Sequence, residues 1–73
     1  KDREQIIHSQ IEGRELVIDA LSLTRNGLEL ERVNTDELEV KRIIGGFIND
    51  INERITKIKG EIVLLRNKLK ETN

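Results

Sequence analysis

From residue 44 to residue 69, eight apolar residues recur at intervals that alternate four and three: Ile44, Ile48, Ile51, Ile55, Ile58, Ile62, Leu65 and Leu69. That rhythm keeps one face of an α-helix apolar over its whole length, and it is incompatible with the two-residue alternation of a strand. In heptad notation Ile48, Ile55, Ile62 and Leu69 take position a, and Ile44, Ile51, Ile58 and Leu65 take position d. Ile at most a and d positions shifts the preference of a parallel coiled coil from two strands to three or four. Val63 and Leu64 fall at b and c and widen the apolar face, which suits packing against more than one neighbour.

The start of this helix is legible. Asn34 and Thr35 are both suitable caps, and Glu37 follows Asn34 at capping-box spacing. Acidic residues follow the caps, and Lys68 and Lys70 lie near the end, each suited to the helix dipole. The expected helix covers about residues 36–72, or ~55 Å at 1.5 Å per residue.

Gly45 and Gly46 interrupt the helix interior at roughly 1 kcal/mol each. They read as a weak point that is either a break, a hinge in a continuous helix, or a bare face that another backbone or ligand approaches. The heptad passes through them without a phase slip, which favours continuity. Phe47, the one aromatic residue, follows the pair and is a candidate bundle-closing side chain or partner contact.

The first half is less regular. A first helix is expected over about residues 4–25, with Ile7, Ile11, Ile18 and Leu21 on one face. Leu16, Val17 and Leu23 are read as broadening that face, and Arg14 as interrupting it. Arg25, Asn26 and Gly27 resemble a helix C-terminus, and Asn26-Gly27 is also a favoured β-hairpin turn. Residues 26–34 are therefore expected to be a connection, extended or as a short strand.

The expected fold is all-α: an antiparallel helical hairpin in one domain, residues 1–73, with a long heptad-patterned second helix, assembling into a coiled coil or helical bundle. A first helix of ~30 Å leaves ~25 Å of the longer seam uncovered, more than a soluble monomer normally exposes. The eight seam residues are thus the expected oligomer interface. The expected partners are the chain itself, in a homo-oligomer of two to four chains, and another protein.

Composition bounds the chemistry. The chain has 73 residues, no Cys, Trp, Tyr, Met or Pro, and one His. Ser9 and Ser22 have no base and orienting group in readable spacing, and no phosphate-binding glycine motif follows Gly45-Gly46. The expectation is a non-enzymatic protein: a small regulator, an adaptor or an assembly segment of something longer. Glu4, His8 and Glu12 share one helical face, but a single His and no fourth ligand make a solvated polar strip the better reading. No metal or cofactor is expected.

Charge divides unevenly, with 5 basic and 8 acidic residues in 1–36 against 8 and 6 in 37–73. Arg54, Lys57, Lys59, Arg66, Lys68 and Lys70 form a basic stretch containing one acid, Glu61. They are candidate nucleic-acid contacts, as in a dimeric regulator, or ordinary residues flanking the seam. A third reading places a small ligand or nucleotide near Gly45-Gly46 and Arg42. No apolar run is long enough for a membrane span, and the lack of Cys fits a reducing, cytoplasmic setting.

Overall fold

The computed structural model describes residues 2–71. Two α-helices of nearly equal length fold back on each other: α1, Asp2–Asn34, and α2, Leu38–Glu71. Together they make a rod of 55 × 14 × 11 Å. The connection is three residues, 35–37. The Thr35 amide donates to the Glu31 carbonyl at 3.1 Å, closing α1, and the Lys41 amide donates to the Glu37 carbonyl at 3.0 Å, opening α2. The Thr35 hydroxyl accepts the Glu37 N–H two residues on at 3.4 Å and braces the turn; Asn34 ends α1 and α2 starts at Leu38 rather than 36, so neither residue is the N-cap expected of α2. The expected end of α2 at residue 72 lies outside the described residues.

The all-α hairpin agrees with the sequence, but the length of α1 does not. The helix does not stop at residue 25, and 26–34 is neither connection nor strand. Asn26-Gly27 is a local stop signal worth ~1 kcal/mol against helix. Continuing the helix keeps Leu28 in phase on the buried face, where it is half-buried. It also lets Arg25 donate from Nη1 to Asn52 Oδ1 of α2 at 3.0 Å. Tertiary contacts outweigh the local preference, as they commonly do for propensities of this size.

The longer α1 changes what covers the seam of α2. Ile7 and Ile11 of α1 pack with Ile62 and Leu65 of α2, and Ile18, Ile58 and Leu69 join the cluster. Ile44, Ile48 and Ile55 are also buried, and Ile51 is half-buried. No uncovered 25 Å of seam remains, because α1 lies along all of it. All eight expected interface residues take part in the intrachain seam, so no bare stretch of it is left to require a partner.

The α1 side of the seam is mixed. Its apolar residues share their stripe with Arg14, Arg25 and Arg32, spaced as seam positions. Arg14 turns sideways, donating from Nε to Glu61 Oε1 at 3.0 Å and from Nη1 to the Gln10 carbonyl at 3.2 Å. Such side chains lay their methylenes on the seam and carry the charge to its edge. Among the described residues no buried side-chain polar atom lacks a partner.

Candidate interaction surface

The glycine pair does not break α2, which is helical throughout, and every described glycine has negative φ. A Cβ on Gly45 would meet only the Arg32 guanidinium, at 3.7 Å, and one on Gly46 would meet nothing within 4 Å. The close neighbour of Gly45 is therefore the tip of a seam arginine in the same chain. Phe47 is 54% exposed and does not close the hairpin core.

The basic residues do not form one face. Arg54 and Lys68 share the heptad edge g, Lys59 and Arg66 the opposite edge e, and Lys57 and Lys70 lie on the back. Arg66 is tied to Glu15 of α1 at 3.3 Å. Lys59 lines a groove with Glu15 and Asp19. Glu4, His8 and Glu12 remain a strip along α1, and no group of three or more potential metal ligands gathers among the described residues. No described helix is long and apolar enough to cross a membrane.

What the fold exposes is more informative than what it encloses. Eleven large hydrophobic side chains are about half exposed or more, against seven buried. Six of the eleven belong to α1: Ile6, Leu16, Val17, Leu23, Leu30 and Val33. Leu16, Val17 and Leu23 do not broaden the buried face as expected; Leu16 is 68% and Leu23 72% exposed.

Their spacing explains this. Residues 6, 9, 13, 16, 20, 23, 27, 30 and 34 follow each other at three and four, a second heptad stripe on the same helix. It reads Ile, Ser, Gly, Leu, Ala, Leu, Gly, Leu, Asn, with no charge at any position in a chain that is 37% charged. At 100° per residue its centre lies about 150° around α1 from the stripe that meets α2. Helix α1 is apolar on two opposite faces, and α2 covers one of them. The signal was present in the sequence, but it emerges only when α1 is followed past Gly27 to Leu30.

No family model, curated protein or solved structure matches the chain.

Proposed function

We propose that this protein is a non-catalytic helical-hairpin interaction module that associates through the outer face of α1. The observation behind this reading is the second apolar stripe, which holds Leu16, Leu23 and Leu30 in solvent. An uncharged apolar strip running the length of a small domain exceeds what monomers ordinarily expose. Its heptad spacing is that of a surface built for another helix. The Ile/Leu seam of α2 has a different part in this reading: it holds the hairpin together, and the hairpin presents the stripe. A role as assembly segment, adaptor or small regulator fits such a module, with copies of itself or another protein as partner. The division of the basic residues between opposite edges supports this over a nucleic-acid-binding role.

Leu23→Asp tests the reading. Leu23 lies near the middle of the stripe, and its 72% exposure means the hairpin core does not need it. Light scattering should show the native chain above its monomer mass of 8.5 kDa. The variant should shift towards that mass with its far-ultraviolet helix signal retained. Equal masses for native chain and variant would refute this surface as the site of association.

A further inference from the structure

Resting on that reading, we infer that the partner is a second copy of this chain, with the two α1 helices antiparallel and in one defined register. The stripe has two kinds of position. Gly13, Ala20 and Gly27 recur every seven residues, and so do Leu16, Leu23 and Leu30. A Cβ built on Gly13 or Gly27 meets nothing within 4 Å, so the hairpin itself does not need these glycines.

Antiparallel packing pairs the two kinds of heptad position across each layer. Placing the two-fold axis beside residues 21 and 22 sets Gly13 against the partner's Leu30. The next layers are Leu16 against the partner's Gly27 and Ala20 against the partner's Leu23, and the symmetry repeats all three. Each inner layer then holds one leucine and one small residue, so filling is even and the backbones approach closely. At each end Ser9 meets the partner's Asn34, a hydrogen-bonding pair where the apolar run finishes.

The alternatives fit worse. Parallel pairing stacks leucine on leucine and glycine on glycine, alternating crowded layers with empty ones. Sliding the antiparallel register by one heptad one way sets Ile6 against the partner's Leu30 and leaves Gly27 facing only the partner's Ser9; the other way sets Leu16 against the partner's Asn34 and carries Ser9 and Gly13 past the end of the partner's α1. At the rims of the proposed register no like charges meet. Asp19 lies beside the partner's Asn26, and Gln10 beside the partner's Glu31.

The contact is also large enough. From Ser9 to Asn34 the stripe runs ~38 Å along a helix ~10–12 Å across, removing on the order of 500 Å² from each chain. A total of ~1,000 Å² reaches the lower bound for a specific interface. Because the two faces of α1 are nearly opposite, the dimer is a flat row of four helices, with α2 of each copy on the outside.

A size swap within one layer tests the register. Gly13→Leu sets leucine against the partner's Leu30, and Leu30→Ala leaves a void opposite Gly13. Each single change should weaken dimerisation at least tenfold by sedimentation equilibrium. The double variant Gly13→Leu/Leu30→Ala reverses the layer and should return the dissociation constant to within about threefold of native. Circular dichroism of each variant, diluted to monomer, should show an intact helical hairpin. A double variant no better than the worse single would overturn the register, and so would single changes without effect. A native chain that dimerises through Leu23 but fails the swap loses this inference and keeps the interaction reading. A native chain still monomeric at ~1 mM, where even a ~1 mM dissociation constant would leave about half the chains paired, excludes a second copy as partner.

Discussion

Replacing Gly45 and Gly46 together by Ala should raise the stability of the hairpin by ~2 kcal/mol. Each glycine in a helix interior is ~1 kcal/mol less favourable than alanine, chiefly because it surrenders more backbone freedom on folding. Neither site takes that gain back. Both have negative φ. The nearest atom to a new methyl at Gly45 is Nη1 of Arg32 at 3.7 Å, an ordinary contact at the end of a flexible chain, and Gly46 faces open space. For a domain of this size each kcal/mol moves the thermal midpoint by ~4–8 °C, so the pair should add ~8–16 °C. The assay is a thermal melt followed by circular dichroism at 222 nm. It is run over a range of protein concentrations, because association also raises the midpoint. An increase of this size at every concentration supports a continuous, unhinged α2. An unchanged or lowered midpoint would refute it, showing that the chain bends there in solution or that a neighbour occupies the bare surface.

Two further substitutions probe the intrachain seam. Ile55 is only 6% exposed, and Ile55→Ala should lower stability by ~2–5 kcal/mol by removing packing and leaving a cavity; urea denaturation measures it, and a loss under ~1 kcal/mol would mean that the seam is loosely packed. Arg25→Leu should stabilise the hairpin by ~1–2 kcal/mol, because it adds apolar burial and gives up only an exposed hydrogen bond to Asn52. A destabilised Arg25→Leu variant would show that the arginine fixes the register of the two helices.

The sequence made α2 legible because its eight seam residues keep phase through both glycines, and phase survives weak local propensity. Ile7, Ile11, Ile18 and Leu21 were legible on α1 for the same reason. The end of α1 was not. Asn26-Gly27 is a true local preference against helix, and the continued helix meets it with packing against α2, where Leu28 is half-buried. A first helix ending at residue 25 would leave part of the α2 seam bare and cut the second stripe short of Leu30. Arg14 interrupts the apolar pattern in sequence, but in the fold its guanidinium leaves the seam sideways to Glu61. Without Leu30, Leu16 and Leu23 are equally compatible with a broad inner face. Their opposite orientation follows only from the full nine-position rhythm.

The two sides of the intrachain seam are unequal, and this gives the short connection a significance of its own. The α2 stripe is wholly aliphatic, whereas the α1 stripe carries three arginines. Judged by apolar matching alone, α2 of one chain would suit α2 of another better than it suits its own α1, and Ile at both a and d favours such higher-order coils. In the hairpin, three residues hold α1 beside α2 at a high effective concentration, which favours the local partner. Were α2 to pair with α2 of other chains instead, the turn at 35–37 would be the opposing tether. Lengthening it about tenfold with Gly-Ser residues should lower that effective concentration ~30-fold, or ~2 kcal/mol. Domain-swapped or α2-cored oligomers should then grow at the expense of the closed hairpin in sedimentation profiles. An unchanged distribution would show that the arginine-bearing stripe matches α2 on its own merits.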